Sequence, residues 1–182
     1  MTIRNAIKDL VQNIIPCDEL EQHHIDQTLL WIQSGVPIFR IQKPDIPPKH
    51  LVSYVVLYDE NAQKILLVDH KKAQLWVPAG GHVDVDEHPQ ETAKRECAEE
   101  LKIDACFWHH QPIFLISIIT VGLTAGHTDV SFWYVLKGDH QQDYTFDVSE
   151  FNTIRWFGFD EIDYGKSDPH LKRFVDKFRG ML

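Results

Sequence analysis

The chain has 182 residues, a hydrophobic content of 43% and a formal net charge of −9 at pH 7. A chain of this length and composition can bury a sizeable core, so we expect one globular domain, with room for a small appendage, rather than a disordered protein. The negative charge and the lack of lysine or arginine runs argue against a protein that clamps a nucleic-acid polymer, since that mode of binding needs a basic surface. A small anionic ligand held through metal ions remains compatible with this charge.

The cysteines and the apolar segments bear on the compartment. Cys17, Cys97 and Cys106 are odd in number and fit no metal-binding spacing, so they predict neither a disulfide framework nor a zinc site. The first residues contain no apolar signal core, and the stretch from Ile113 to Leu123 is shorter than the ~20 residues that span a bilayer. We therefore expect a protein of a reducing compartment, the cytoplasm, without a membrane segment.

Two helices are predicted at the start of the chain, over residues 2–14 and 18–34. Apolar residues recur at helical spacing in both, Pro16 separates them, and Gly35 ends the second. Asp18, three residues before Glu21, is a candidate helix cap. The apolar faces of these helices fit three roles: packing on the domain that follows, covering its ligand cleft, or forming a homodimer interface.

A proline-rich segment, residues 43–49, predicts an extended linker. We place the domain boundary there, with a helical extension at residues 1–43 and the main domain at residues 44–182. Residues rich in Ile, Val and aromatic side chains then predict five strands, at Val52–Tyr58, Ile65–His70, Ile113–Val121, Asp129–Leu136 and Thr153–Phe157. With a hairpin turn at residues 59–63 and a last helix at residues 168–178, this order predicts an α/β fold with a mixed sheet between helices.

An acidic segment lies between the second and third of these strands. If residues 88–101 are helical, Glu96, Glu99 and Glu100 occupy positions i, i+3 and i+4, so their carboxylates converge on one face. Clustered carboxylates repel one another, and a hard divalent cation such as Mg²⁺ or Mn²⁺ relieves the repulsion because it prefers oxygen ligands. The residues by themselves therefore predict a magnesium-type site.

A solvated acidic face on an ordinary amphipathic helix is the alternative interpretation of the same segment. Such a face normally carries basic partners, as Arg95 could provide for Glu91 one turn away. We expect no such partner on the face of the three glutamates, which favours the metal site. A second face carries apolar residues every four positions and is expected to dock on the sheet, at Ala93, Cys97 and Leu101.

The spacing around the glutamates resembles the signature of the Nudix hydrolases. That signature reads Gly, five residues, Glu, seven residues, Arg-Glu, an apolar residue, any residue, Glu-Glu, any residue, Gly and an apolar residue. The matching positions are Gly81, Glu87, Arg95, Glu96, Glu99, Glu100 and Ile103. Cys97 replaces a larger aliphatic residue and still packs as a small hydrophobe. Lys102 replaces the glycine that would end the helix in a left-handed conformation, which costs a non-glycine residue roughly 1 kcal/mol.

This resemblance covers most of the chain and points to a subgroup with a helical N-terminal extension. It implies a Nudix-type α/β/α sandwich and a hydrolase that cleaves a diphosphate linkage between a nucleoside diphosphate and another group, X. The three glutamates would be the catalytic residues and would hold Mg²⁺ or Mn²⁺ together with the carbonyl of Gly80. Gly81 and an ion pair between Glu87 and Arg95 would support the site.

The segment before the acidic helix, Leu75 to Asp84, is predicted as a short strand that runs into a glycine turn. Gly80 and Gly81 would form that turn, because glycine lets the backbone approach a ligand closely. Asp84 has two open roles: it binds the metal through water, or it caps the loop.

Several other side chains are candidates whose spacing does not decide their role. The general base is Glu99 or Glu100, or a carboxylate from a later loop, for which the chain offers Asp129, Asp143, Asp147 and Glu150. Arg40, His82 and His127 are candidates for binding the substrate. Arg40 either grips a phosphate or forms an exposed ion pair, and His127 either faces the cleft with Asp129 or simply shares a strand face with it. Core packing is the expected role of the aromatic candidates, which are Phe39, Trp76 and Trp133.

Two other classes of function compete with hydrolysis. An isoprenoid diphosphate isomerase of the same fold is expected to carry a reactive cysteine before the acidic helix, where this chain has Ala79, Gly80 and Gly81. A noncatalytic module that senses a nucleotide or binds a partner usually lacks one or more of the carboxylates, and here all three are present. Hydrolysis of a small-molecule diphosphate is therefore the favoured function.

Overall fold

The structure, a computed structural model, describes residues 2–120 and 126–182. Its first elements are the helices α1 (Ile3–Gln12) and α2 (Glu19–Gln33). Thr2 and Asp18 cap them, and the carboxylate of Asp18 accepts a hydrogen bond from the backbone nitrogen of Glu21 at 2.7 Å. Both predicted N-terminal helices and the predicted Asp18 cap are thus confirmed.

The remaining elements are two runs of strands, each followed by an α-helix. In chain order they are β1 (Lys49–Asp59), β2 (Lys64–His70), β3 (Leu75–Val77), β4 (Ala79–His82), α3 (Pro89–Glu100), β5 (Phe114–Ile119), β6 (Thr128–Lys137), β7 (Phe151–Gly158) and α4 (Leu171–Arg179). The five predicted strands correspond to β1, β2, β5, β6 and β7, with ends shifted by a few residues. Val121, the predicted end of the third of them, lies outside the described residues.

The strands form one mixed sheet in the order β3-β2-β1-β6-β5, in which β4 also pairs with β1 and β7 with β2. The central pair, β1 and β6, is parallel and runs from Lys49 beside Thr128 to Tyr58 beside Lys137. The other pairs are antiparallel. This long parallel register places the start of β1 beside the start of β6, where polar residues of both strands meet.

Hydrophobic cores cover both faces of the sheet. Successive residues of a strand point to opposite faces, and those of β6 divide accordingly. Phe132 and Tyr134 pack with residues of α1, α2 and α3, whereas Trp133 and Val135 pack with residues of α4. The sheet therefore lies between helical layers, which confirms the predicted three-layer α/β arrangement. None of the described helices is long and apolar enough to cross a membrane.

The N-terminal helices pack on the sheet and share its core. Ile7, Val11 and Ile25 belong to the same buried cluster as Leu115 of β5. The fully buried Glu21 accepts hydrogen bonds from the backbone nitrogens of Cys17 and Leu115 and from the amine of Lys177. The structure therefore shows the first of the three roles open to these helices, which is packing on the domain. The boundary at residues 43 and 44 and the homodimer interface stay predictions.

A buried histidine in α2 predicts a pH-dependent stability. Burial, followed by the nearby charges of His170 and Arg173, lowers the pKa of His24 to about 4, below its ordinary value of 6.5. The unfolded chain therefore binds this proton more readily, and stability falls as pH drops from 6.5 toward 4. We expect the variant His24→Gln to reduce the acid-side slope of the unfolding free energy, by at most about 1.4 kcal/mol per pH unit. Urea unfolding at several pH values would show this, and equal slopes for the exposed control His23→Gln and for His24→Gln would contradict it.

Candidate active site

The two glycines before α3 lie in a strand, which corrects the predicted glycine turn. Gly80 and Gly81 belong to β4 and pair with Tyr54 and Ser53 of β1. A β-carbon on Gly80 would collide with the carbonyl of Ser53, so this pairing requires glycine. The turn comes later, where the backbone nitrogen of Glu87 donates to the carbonyl of Asp84 at 3.0 Å.

Helix α3 docks with one face and leaves its acidic face open. Pro89 lies in its first turn, and His88 caps it by accepting a hydrogen bond from the backbone nitrogen of Gln90. The predicted docking face is confirmed, because its three members are fully buried, at Ala93, Cys97 and Leu101. The hydroxyl of Ser53 also donates to the carbonyl of Pro89 at 2.7 Å and joins the helix to β1.

Lys102 follows the helix with a φ of 56°, the left-handed conformation that the glycine of the signature would adopt. We expect Lys102→Gly to raise the unfolding free energy by roughly 0.5–1 kcal/mol, because it removes the left-handed strain. The greater conformational freedom of glycine in the unfolded chain offsets part of this gain. Lys102→Ala is the matched control, since it also removes the amine but keeps the β-carbon. Urea unfolding would contradict the prediction if both variants were equally stable.

The three glutamates occupy different environments on the open face of α3. Glu96 and Glu100 are only 9% and 6% exposed, whereas the side chain of Glu99 is 61% exposed. Burial, reinforced by the charge of Glu96, raises the pKa of Glu100 to about 9, although the backbone nitrogen of Gly80 donates to its carboxylate at 2.7 Å. Burial also raises the pKa of Glu96. Two buried carboxylates side by side form a donor set that suits a hard divalent cation.

Arg95 lies at the centre of the acidic face, which corrects the expectation that this face has no basic partner. Its guanidinium donates to Glu96 at 2.6 Å and, more weakly, to Glu99 at 3.5 Å. It also forms a two-pronged ion pair with Glu87, at 3.1 and 2.9 Å, and reaches the carbonyl of His82 at 3.0 Å. The i, i+4 spacing of Arg95 and Glu99 predicts this pair as well as it predicts the pair of Arg95 with Glu91, and the structure has the former. Arg95 therefore joins α3 to the end of β4 and to the loop that follows.

Glu87 acts as an anchor for this arginine. Burial works to raise the pKa of Glu87, but hydrogen bonds from Arg95 and Thr92 outweigh it and hold the pKa below the ordinary value. The hydrogen bond to Glu87 is in turn the main cause that raises the pKa of Arg95. Charge-assisted, two-pronged pairs of this kind fix orientation as well as charge.

Gly81 leaves no space for a side chain beside the acidic cluster. A β-carbon at this position would collide with the carboxylate of Glu96. We expect Gly81→Ala to weaken Mn²⁺ binding roughly tenfold, since displaced supporting contacts cost 10–100-fold in metal affinity. Gly165→Ala, far from the cluster, is the control. Unchanged Mn²⁺ affinity in Gly81→Ala, measured by calorimetry, would contradict this prediction.

A cavity of about 900 Å³ opens in front of the glutamates. The predicted site residues that line it are Arg40, Gly80, Gly81, His82, Arg95, Glu96, Glu99, Glu100 and His127. Glu87 lies behind Arg95 and does not line the cavity. Thus the fold gathers nearly all of the predicted site residues around one space, from the acidic face of α3 to the start of β1 and β6.

The remaining candidates divide between this cavity and other places. Asp84, Asp129 and Glu150 line the cavity, whereas Asp143 and Asp147 do not. The side chain of Asp84 is 73% exposed and lies 3.8 Å from Arg95. The aromatic candidates pack in the cores rather than along the cavity, and these are Phe39, Trp76 and Trp133.

A polar group that the sequence predicts only in part lies around Arg40, His82 and His127, which line the cavity. Arg40 donates to the ring of His82 at 3.3 Å, and His127 lies 3.3 Å from Asp129. His50 completes the group, with its ring 4.7 Å from that of His82, and it is not among the residues predicted from the sequence. One signal was present: His50 alternates with Val52 and Tyr54 along β1, which places all three on one face.

Comparison with known proteins gives a family match and a fold match. A family model described as the NUDIX domain matches residues 48–178, which is most of the chain. A comparison with curated protein sequences finds no match.

Among solved structures, the chain is similar to a NUDIX-family hydrolase from Clostridium perfringens, with 20% identity over 73% of this chain and 98% of that chain and a TM-score of 0.57. It is also similar to the NUDIX domain of Shewanella oneidensis NrtR, complexed with ADP ribose, at 18% identity, 72% and 86% coverage and a TM-score of 0.57. A third match is an Ap4A hydrolase of C. elegans, at 18% identity, 71% and 96% coverage and a TM-score of 0.52. These similarities concern the fold, which is the sandwich that the sequence resemblance implied.

Proposed function

Because this chain belongs to the NUDIX family, we propose that it is a hydrolase, dependent on Mg²⁺ or Mn²⁺, that cleaves a diphosphate linkage between a nucleoside diphosphate and a group X. The observation that carries the proposal is the acidic face of α3. There, three carboxylates border a cavity of about 900 Å³, and two of them are buried side by side.

The donor set fits such a cation. Glu96, Glu99 and Glu100 would hold it, together with the carbonyl of Gly80, and their oxygens are the ligands that Mg²⁺ and Mn²⁺ prefer. When bound, the cation supplies electrostatic stabilisation to the phosphate oxygens and lowers the pKa of a bound water. The raised pKa values of Glu96 and Glu100 support this assignment, since a cation offsets the cost of ionising both.

The chain's own residues position the reacting groups. Arg95, fixed by Glu87, holds α3 against β4 and leaves one face of Glu99 open to the cavity. We assign the proton-accepting role to Glu99, because it is the most exposed of the three glutamates and lines the cavity. Glu150 is the alternative base from a later segment, and it borders the same space.

Group X would lie in the part of the cavity lined by Arg40, His82 and His127. Arg40, a permanent cation with several donors, is placed there to contact a phosphate or a polar group of X. The neighbour from Shewanella oneidensis is complexed with ADP ribose, which places nucleotide sugars first among the compounds to test. We place the protein in a reducing compartment such as the cytoplasm, in keeping with its three free cysteines.

The test is release of phosphate, pyrophosphate or a mononucleotide from a panel of nucleotide sugars, dinucleoside polyphosphates and nucleoside triphosphates. We expect turnover of at least one compound with Mg²⁺ or Mn²⁺ and none with a chelator in excess. Binding of panel compounds without cleavage would favour the noncatalytic sensing module instead.

A further inference from the structure

A group of histidines and aspartates lies where β4 ends, and His82, His127, Asp45 and Asp129 of this group line the cavity. We call it the histidine cluster, and its members are Asp45, His50, His82, His127 and Asp129. It forms where β4 ends and where the parallel strands β1 and β6 begin, so the register that pairs His50 with Asp129 brings together residues far apart in sequence. None of the glutamates of α3 belongs to it.

The cluster is compact. Asp45 and the three histidines each offer one ligand atom, and these atoms all lie within 4.8 Å of one another. A tetrahedral ion with bonds of about 2.0–2.1 Å holds its ligands roughly 3.3 Å apart, so small side-chain movements would close the shell. The rings of His50 and His127 are stacked with their centres 5.0 Å apart.

The tautomer of His50 is set by its surroundings. Its Nδ1 lies 2.8 Å from the carbonyl oxygen of Pro47, which can only accept, so Nδ1 carries the proton. Nε2 is therefore a bare lone pair in the neutral ring, and it faces the Oδ1 atom of Asp129 at 3.3 Å. Histidines that bind metals commonly donate their second nitrogen to a backbone carbonyl in this way.

This contact is unsatisfied as it stands. Within the part of the chain that the structure describes, neither His50 Nε2 nor Asp129 Oδ1 has a hydrogen-bond partner, and both atoms are buried. His50 is fully buried and Asp129 is 7% exposed. Two acceptor atoms facing each other in a buried site are costly unless a proton or a cation lies between or beside them.

The other two histidines also turn ligand atoms toward this point. His127 lies 3.3 Å from Asp129 through Nε2 and 3.4 Å from Asp45 through Nδ1. The guanidinium of Arg40 is always a donor, so the Nε2 atom of His82 that it reaches accepts and carries the lone pair of the ring. A metal ion bound by His82 would take the place of Arg40 at this nitrogen.

A divalent ion among these atoms would bind lone pairs of His50 and His127 and offset the charge of the two carboxylates, Asp45 and Asp129. Imidazoles suit zinc, copper, iron and nickel, whereas Mg²⁺ prefers an all-oxygen shell.

We propose that the histidine cluster is a second metal site, specific for a zinc-type transition ion, with His50, His82, His127 and Asp45 as ligands. Asp129 then orients His127, whose Nε2 atom lies 3.3 Å from its carboxylate, and balances the charge of the ion. The proposal goes beyond the hydrolase reaction, because it concerns a different class of metal and does not use the glutamates of α3.

The test measures Zn²⁺ bound by the purified chain while excess Mg²⁺ occupies the glutamate site, with no substrate present. We expect one Zn²⁺ per chain, and the Zn²⁺ should remain in Glu99→Gln, Glu100→Gln. Co²⁺ in place of Zn²⁺ should give the visible absorption of a tetrahedral nitrogen–oxygen site without a thiolate charge-transfer band. This spectrum excludes the free cysteines and needs no variant to fold.

Variants then locate the ion. His82→Gln and His127→Gln should abolish stoichiometric Zn²⁺ binding, and Asp129→Asn should weaken it roughly 10–100-fold, as loss of an orienting carboxylate does. His23→Gln and His109→Gln, which alter exposed histidines elsewhere, should bind as the wild type does. Absence of bound Zn²⁺, its displacement by Mg²⁺, or equal binding in the His82 and His23 variants would each overturn the proposal. The result stands whether or not any diphosphate is cleaved.

Discussion

Replacing Glu99 or Glu100 by glutamine is expected to lower kcat/KM for the best diphosphate substrate by about three orders of magnitude. Glutamine keeps the size of the side chain but removes the charge that holds the cation. The metal's contribution to catalysis is several kcal/mol, and each 1.4 kcal/mol is about a factor of ten in rate. Both residues line the cavity in which we place the diphosphate.

The matched control is Glu91→Gln, the same change on the same helix. Glu91 pairs with Lys94 on the surface and does not line the cavity, so its kcat/KM should stay within about twofold of the wild type, as for surface substitutions elsewhere. Steady-state kinetics with Mn²⁺ would settle the comparison. An equal loss in all three variants would mean that damage to α3, rather than loss of the cation, explains the effect.

The second large effect is on stability. Glu21→Ala is expected to lower the unfolding free energy by about 3–5 kcal/mol, because removing one member of a buried ion pair leaves the other charge without its partner. Lys177 would lose contacts of 2.8 and 2.9 Å, and the backbone nitrogens of Cys17 and Leu115 would lose their acceptor. Since Leu115 lies in β5, an edge strand, the change also loosens α2 from the sheet.

A double-mutant cycle separates the ion pair from the other contacts. Lys177→Met alone should also lower the unfolding free energy. The double variant should lose less unfolding free energy than the sum of the losses in the two single variants, as expected for residues in contact. The exposed pair of Lys172 and Asp176 provides the control, whose loss should cost less than about 1 kcal/mol. Urea unfolding would contradict this account if Glu21→Ala cost no more than the surface pair.

The acidic site could be predicted from the sequence because its parts are local. Glu96, Glu99 and Glu100 lie within five residues on one helix, so helical periodicity alone brings them together. Lys102 likewise showed its left-handed conformation through the glycine it replaces. The ion pair of Arg95 with Glu87 was likewise predicted. The contact of Arg95 with Glu96 was not, because adjacent residues do not face each other on an ideal helix. The long arginine side chain bends back and makes this contact all the same.

Other features depend on pairing between distant segments. Strand β4 has two glycines and no apolar alternation, and it is a strand because Gly80 and Gly81 pair with β1. The histidine cluster depends on the parallel register of β1 and β6, which no local pattern reveals. Once the register is known, strand alternation explains why His50 and Asp129 share a face.

The most direct test of a cation site on α3 is Mn²⁺ binding, monitored by electron paramagnetic resonance with and without excess Mg²⁺. It compares the wild type with the double variant Glu99→Gln, Glu100→Gln, and the relevant Mn²⁺ is the part that Mg²⁺ displaces. We predict that the wild type binds such Mn²⁺ and that the double variant, still folded, binds none of it. Displaceable Mn²⁺ bound equally by both proteins, or by neither, would contradict a cation site on the acidic face of α3.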